Sequence, residues 1–190
     1  MIPRSVRAAA LVATLLAIPA VQAVEVAGVR VDEQIRVGAN ELVLNGAGVR
    51  TKVFVKVYVG ALYASRKANT PAALLDAATP RRMSMRMLRD IDSDTLYGAL
   101  RDGLRDNHGE AELAALQAPT EQFAEIMKKV GGARNGDTVA IDFTAEGVGV
   151  SFNGEPRGKV AGSAFAKALL KVWLGDNPVD SALKKALLGG

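Results

Sequence analysis

Residues 49–61 read VRTKVFVKVYVGA, and this stretch decides the fold class. Its odd positions are valine, threonine or alanine, whereas its even positions include Arg50, Lys52 and Lys56. Successive side chains of a strand point to opposite faces, so this period of two predicts one continuous β-strand over 49–61. The odd face is expected to pack on a core, and the even face is expected to meet water or a ligand.

Short strands are predicted on the N-terminal side of this stretch. Residues 24–37 and 41–44 carry β-branched residues, with turn signals at 38–40 and at Asn45-Gly46. This pattern predicts two or three short antiparallel strands. Gly46-Ala47-Gly48 precedes a strand rather than a helix, so it is interpreted as a turn and not as a phosphate-binding loop.

A second alternating stretch lies at 81–89 and places Met83, Met85 and Met87 on one face of a strand. Methionine is adaptable and fills irregular cores, so core packing is favoured over a methionine metal site. Further strands are predicted at 138–144 and 147–152, followed by an Asn153-Gly154 turn into a third strand.

Helices are predicted between and after these strands from capping signals and helical spacing of apolar residues. They cover 71–78, a helix capped by Ser93, 110–130 with an interruption near Pro119, 161–174 and 179–188. Strands and helices are thus largely segregated along the chain. The segregation predicts an α+β fold, an antiparallel sheet with helices layered on one face.

Residues 1–23 have the composition of a cleavable signal peptide. A basic start is followed by an apolar run over 8–20 and by Val21-Gln22-Ala23, whose small residues suit signal peptidase. The run is shorter than the roughly 20 residues that span a bilayer. We therefore expect cleavage before Val24, export to the periplasm or secretion, and one mature domain over 24–190.

The composition of the mature chain excludes several functions. The leader takes Arg4 and Arg7, so 22 of 24 cations remain against 20 anions, a net charge of +2. The cations are scattered and not interleaved with aromatic residues, so nucleic-acid binding is not expected. No later stretch is suited to spanning a membrane, and without cysteine the fold must hold by packing alone.

The residues also argue against metal and cofactor chemistry. His108 is the single histidine, and it stands at a predicted helix C-terminus, where an imidazole interacts favourably with the helix dipole. One histidine without cysteine does not build a zinc site of the usual kind. No catalytic residue, metal site or cofactor is therefore assigned.

Arg50 is the candidate binding residue. The alternation places it on the same strand face as Phe54 and Tyr58, where a guanidinium can hold a carboxylate or enolate by two hydrogen bonds. The alternative is a solvent-facing arginine beside Lys52 and Lys56. The periodicity alone favours this alternative.

Several segments resemble the chalcone isomerase-like proteins. The resemblance lies in Gly46-Ala47-Gly48-Val49-Arg50, in residues 55–63, and in residues 158–188 with Trp173-Leu174-Gly175-Asp176-Asn177-Pro178. The order of elements agrees with that of the family over nearly the whole mature chain. The resemblance is to a bacterial branch of exported proteins. The resemblance implies an open-faced β-sandwich, an antiparallel sheet with helices on one side.

The family's functions divide between plant isomerases that close chalcones to flavanones and fatty-acid-binding relatives. In both groups the resemblance gives Arg50 a role at the ligand. Tyr58 replaces the isomerases' threonine and matches the fatty-acid-binding branch, whereas Leu104 stands in place of the isomerases' asparagine. Tyr97 is the counterpart of their helical tyrosine. The resemblance therefore places the site closer to the fatty-acid-binding relatives.

The spacing of Arg50 and Tyr58 conflicts with a shared site on one strand. Eight residues of straight strand separate them by roughly 26 Å, so both reach one head group only if the strand bends or bulges.

The predicted function is non-catalytic binding of a fatty acid or similar small apolar acid. The pocket would lie between sheet and helices, with Arg50, Tyr58 and Tyr97 near the acid and Phe54, Leu96 and Leu100 along its walls. The alternatives are a chalcone isomerase-type intramolecular lyase, and a scaffold or haem-binding module in which His108 is the imidazole.

Overall fold

The computed structural model describes residues 22–76 and 79–190. Most of the predicted signal peptide and the last two residues of the predicted helix over 71–78 lie outside these ranges. The strands are β1 (Ala23–Val26), β2 (Val29–Asp32), β3 (Gln34–Val37), β4 (Asn40–Lys52), β5 (Val55–Ala64), β6 (Arg81–Met87), β7 (Thr138–Thr144), β8 (Gly147–Phe152) and β9 (Glu155–Ala161). The helices are α1 (Pro71–Leu75), α2 (Ser93–Asp106), α3 (Glu110–Ala115), α4 (Gln117–Val130), α5 (Ser163–Leu174) and α6 (Ser181–Leu187).

Strands β3 to β9 form one antiparallel sheet in which every strand pairs with its neighbours in sequence. Strands β1 and β2 form a separate two-stranded hairpin. The helices cover one face of the large sheet. The predicted α+β class, with helices layered on an antiparallel sheet, is confirmed.

Two hydrophobic cores lie on the two faces of this sheet. The larger one, between sheet and helices, contains the three methionines of β6 together with most of the apolar face of α5. The smaller one contains Val31 of β2 together with Val59, Ala61 and Tyr63 of β5. Strand β5 is therefore buried on both faces from residue 57 onward, where the sequence predicted one face open to water or ligand.

The continuous strand predicted over 49–61 is wrong, because the chain reverses at Val53-Phe54. Lys52 pairs with Val55, and both intervening residues have positive φ, 46° and 67°. Such a two-residue turn joins antiparallel strands and normally carries Asn-Gly or Asp-Gly. Valine and phenylalanine do not indicate a turn, and the alternating pattern continues through both residues. The sequence therefore did not reveal the hairpin.

The turns predicted at Asn45-Gly46 and Gly46-Ala47-Gly48 are also wrong, because β4 runs through both. The register shifts at Asn45, which occupies a β-bulge. Its buried side-chain amide donates to the carbonyls of Ala68 and Leu187 at 2.9 and 2.6 Å. The asparagine therefore ties the sheet to the end of α6 instead of turning the chain.

Helix α2 is capped by Asp92 and not by Ser93 as predicted. The Asp92 carboxylate accepts hydrogen bonds from the backbone N–H and the hydroxyl of Thr95, at 2.7 and 2.8 Å. The interruption predicted near Pro119 falls at Leu116, between α3 and α4. The cap on α6 is Asp180, which accepts from the backbone N–H of Leu183 at 2.9 Å.

Candidate functional site

The reversal at Val53-Phe54 brings Arg50 and Tyr58 together. They are direct cross-strand partners on β4 and β5, with the guanidinium carbon of Arg50 5.6 Å from the centre of the Tyr58 ring. This distance is within the range of a cation–π interaction. The hairpin thus resolves the separation of roughly 26 Å expected on a straight strand.

A second β-bulge lies opposite Arg50 and Thr51, because these residues pair with Tyr58 and Lys56 and leave Val57 of β5 as the extra residue. The backbone N–H of Thr51 donates to Oδ2 of Asp180 at 2.9 Å, while Oδ1 of the same carboxylate caps α6. Asp180 therefore joins the helical layer to the sheet beside the arginine. Its two oxygens are already occupied by backbone donors.

The guanidinium of Arg50 has unused hydrogen-bonding capacity. Its Nε atom is buried and has no hydrogen-bond partner among the described residues. A buried donor without an acceptor costs free energy, and a charged one costs more than a neutral one. The position is therefore suited to an anionic acceptor from a ligand.

Tyr58 is buried behind Arg50 and is fixed by Trp173 of α5. The indole Nε1 donates to the Tyr58 hydroxyl at 2.9 Å, so the phenol keeps its own proton for donation. Burial raises the pKa of Tyr58, and this outweighs the opposing effects of Arg50 and Trp173. The phenol is thus neutral at physiological pH, and it supports the guanidinium with its ring.

A groove of about 390 Å³ opens beside Arg50, between the end of the β4–β5 hairpin and the start of α2. This volume is within the usual range for small-molecule sites. One wall is apolar and the rim is charged. The apolar lining is Val53, Val55, Val57, Ile91, Leu96 and Ala99, and the polar lining is Arg50, Lys52, Arg89, Asp90, Asp92 and Thr95.

Comparison with known proteins assigns a family to this arrangement. The model of a family described as chalcone isomerase-like matches residues 23–189. The chain belongs to the chalcone isomerase-like family. The resemblance predicted from the sequence is confirmed.

The fold of this chalcone isomerase-like chain is similar to that of a solved fatty-acid binding protein from Arabidopsis thaliana. The two share 16% sequence identity with a TM-score of 0.66, over 85% of this chain and 92% of that one. At this identity the likeness concerns the fold alone. No curated protein matches the chain in sequence.

The predicted site residues of this chalcone isomerase-like chain are only partly brought together. Arg50 and Leu96 line the groove, and Tyr58 lies behind Arg50. Leu100 is buried in the larger core, and Tyr97 is half-buried against it. Neither residue lines the groove.

Phe54 does not line an enclosed pocket, and this prediction is wrong. Its side chain is 98% exposed at the tip of the β4–β5 hairpin. The prediction assumed a straight strand in which even positions share one face. The turn at 53–54 ends that alternation, so the residue projects away from the sheet.

Sequence reasoning missed Trp173 and Asp180 as supports of the site. Asp180 precedes the last helix and is a typical N-cap residue, so its cap could have been predicted. Its second bond to Thr51 could not, because it joins residues 129 positions apart in the chain. Trp173 belongs to the C-terminal stretch that carries the family resemblance, but nothing in the sequence indicated its bond to Tyr58.

His108 is half-buried and its Nδ1 lies 2.8 Å from the carbonyl oxygen of Leu104, one turn earlier in α2. The imidazole is therefore engaged at a helix C-terminus. In residues 22–76 and 79–190 no group of three or more His, Cys, Asp or Glu side chains could hold a metal ion. Within the same ranges no helix is long and apolar enough to cross a membrane.

Proposed function

We propose that this chalcone isomerase-like domain binds a fatty acid or similar small apolar acid in the groove beside Arg50, without catalysing a reaction on it. The observation that carries the proposal is the buried, unpartnered Nε of Arg50 at the edge of an apolar-walled groove. A carboxylate in the groove pairs with the guanidinium, which forms no ion pair among the described residues. The hydrocarbon chain then lies against the valines of the hairpin and Leu96.

The charges around the groove favour an anion. Arg50, Lys52 and Arg89 line it together with Asp90 and Asp92. Both carboxylates are engaged by backbone donors, Asp90 by the N–H of Asn135 at 2.8 Å and Asp92 by the N–H of Thr95. The negative charge is thus partly compensated within the protein, whereas Arg50 keeps a free donor.

Tyr58 acts in this proposal as a support for Arg50. Its ring faces the guanidinium, and its hydroxyl is held by Trp173. An arginine whose position is already fixed loses less conformational entropy when it binds a carboxylate. Export to the periplasm or secretion after removal of the leader is part of the same proposal, and rests on the composition of residues 1–23.

One experiment tests both parts of the proposal. The protein is expressed with its leader and purified from the periplasmic fraction without delipidation, and the intact mass and the organic extract are analysed by mass spectrometry. The expected result is a chain beginning at Val24 with about one apolar acid per protein. In R50A the bound acid is expected to fall to roughly a tenth or less, since hydrogen bonds to charged groups contribute about 1.5–3 kcal/mol.

The matched control is R101A, which removes an exposed arginine of α2 that pairs with Asp102 at the surface. It should retain the acid in full. Titration calorimetry with oleate should show a Kd roughly 10- to 100-fold higher for R50A than for R101A. Equal oleate affinity in the two variants would disprove the role of Arg50.

Isomerase activity is a second candidate, because Arg50 could also stabilise the developing enolate of a chalcone. The arrangement supports it less well. Leu104 is buried in the larger core at the position of the isomerases' asparagine, and Tyr97 does not line the groove. Cyclisation of chalcones well above the spontaneous rate would favour this second function over simple binding.

A further inference from the structure

The tip of the β4–β5 hairpin exposes adjacent apolar side chains. Val53 and Phe54 are 80% and 98% exposed, and Val55 is 41% exposed. Single exposed apolar residues are ordinary on protein surfaces, but three consecutive ones at a projecting turn indicate an interaction site.

The tip also has an unfavourable backbone for the residues it carries. Val53 and Phe54 have φ values of 46° and 67°, in the left-handed region that β-branched and bulky residues rarely adopt. The two other tight hairpin turns with positive φ at both central residues use Ala27-Gly28 and Asn153-Gly154. A turn that keeps Val-Phe despite its strain points to a function for these side chains.

Positive charge flanks the apolar tip on both strands. Lys52 and Lys56 are exposed, and neither takes part in an ion pair among the described residues. Arg89 is also exposed and lines the groove together with Lys52 and Val53. An apolar tip with a lysine on each strand has the chemistry of a surface that inserts into the boundary of an anionic membrane.

We propose that the hairpin tip docks the protein on a lipid bilayer with anionic headgroups. Phe54 and Val53 enter the acyl boundary, while Lys52 and Lys56 extend toward the headgroups. A folded protein partner fits this tip less well, because a stable protein interface buries more than about 1,000 Å² and a two-residue turn presents only a small part of that.

Docking in this way would bring the groove to the membrane, because Val53 and Lys52 belong to both the tip and the groove lining. A bound acid would then enter or leave beside the lipid. The docking itself does not depend on the proposed acid binding, and the two are tested separately.

A reporter at the tip tests the docking. In F54W the new indole is exposed, whereas Trp173 is buried in the larger core. Vesicles of phosphatidylglycerol and phosphatidylcholine should shift the F54W emission to the blue, and brominated acyl chains should quench it. Pure phosphatidylcholine vesicles should have a much weaker effect. The blue shift and the quenching come from the indole at position 54. Membrane binding through the apolar residues of the leader would therefore not produce them.

Variants separate the apolar contribution from the charge. V53N/F54G installs the residues that this turn prefers, so it should fold at least as stably while its vesicle affinity falls at least tenfold. K52Q/K56Q should lose roughly fivefold per lysine and bind with a flatter salt dependence. The control K159Q/K167Q, which changes exposed lysines of β9 and α5, should lose much less.

Absence of both the blue shift and the quenching with anionic vesicles would overturn the proposal. It would also be overturned if V53N/F54G bound vesicles as tightly as the unmodified chain. Concentration-dependent dimerisation that disappears in V53N/F54G, without vesicle binding, would instead assign the tip to a second copy of the chain.

Discussion

Arg50 and Tyr58 show how a site residue depends on groups that do not contact the ligand. The bulge at Val57 lies opposite Arg50 and Thr51, and Asp180 accepts from the backbone N–H of Thr51. Both oxygens of this carboxylate accept from backbone N–H groups, which fixes α6 against the strand that carries Arg50.

At this scale we predict that Y58F destabilises the fold. The substitution removes the hydroxyl that accepts from Trp173 and leaves a buried indole N–H without a partner. The expected loss is about 1–3 kcal/mol in the free energy of unfolding, measured by urea denaturation.

The pair W173F and Y58F/W173F completes a double-mutant cycle for this prediction. If the hydrogen bond is the cause, Y58F should cost about 1 kcal/mol less when Trp173 is already replaced. Strictly additive effects would contradict the account.

At the scale of elements, the predictability of each turn depended on its residue chemistry. Asn153-Gly154 was predicted as a turn and is one, because both residues tolerate positive φ. Val53-Phe54 has the same kind of backbone without either residue type, so a hairpin was interpreted as one strand. Asn45-Gly46 has turn chemistry but lies in a bulge, since tertiary hydrogen bonds from Asn45 outweigh the local preference.

The contact between β4 and α6 depends on glycine. A Cβ atom added at Gly46 would lie 2.1 Å from the carbonyl oxygen of Ala186, in the backbone of α6. We predict that G46A forces the helix off the sheet and lowers the free energy of unfolding by at least about 2 kcal/mol in urea titrations.

The matched control is G98A, on α2, where an added Cβ meets nothing within 4 Å. This variant should be unchanged or more stable by up to about 1 kcal/mol, because alanine favours the helix. Similar losses in G46A and G98A would show that close packing is not the reason for Gly46.

At the scale of the molecule, the order of strands and helices was sufficient to predict the α+β class. The presence of a core on each face of the sheet could not be predicted from it. Alternation in 49–61 suggested one buried face, yet β5 is covered by helices on one side and by the β1–β2 hairpin on the other. A strand that is buried on both faces can still have an alternating sequence, because each face packs against a different core. The site could be predicted only as far as Arg50, Tyr58 and Leu96, since its supports come from distant helices.

Each of the two cores holds one buried tyrosine of β5, and this makes the whole domain sensitive to alkali. Burial raises the pKa of Tyr58, and burial together with Asp32 raises the pKa of Tyr63 to about 12. The unfolded chain releases these protons near pH 10. The contribution of Tyr63 to stability is therefore complete below pH 10 and is lost as the pH rises toward 12, and that of Tyr58 is also lost as the pH rises above 10.

We predict that the free energy of unfolding falls between pH 10 and 12, measured by urea denaturation with circular dichroism. Y63F removes one of the two phenols, whose hydroxyl donates to the carbonyl of Asp32 at 3.0 Å. Near neutral pH the free energy of unfolding of Y63F should be lower by about 1 kcal/mol. Above pH 10, the part of its decrease with pH that comes from tyrosine ionisation should be roughly half as steep as in the unmodified chain. An unchanged slope in Y63F would mean that Tyr63 ionises equally in the folded and unfolded chains.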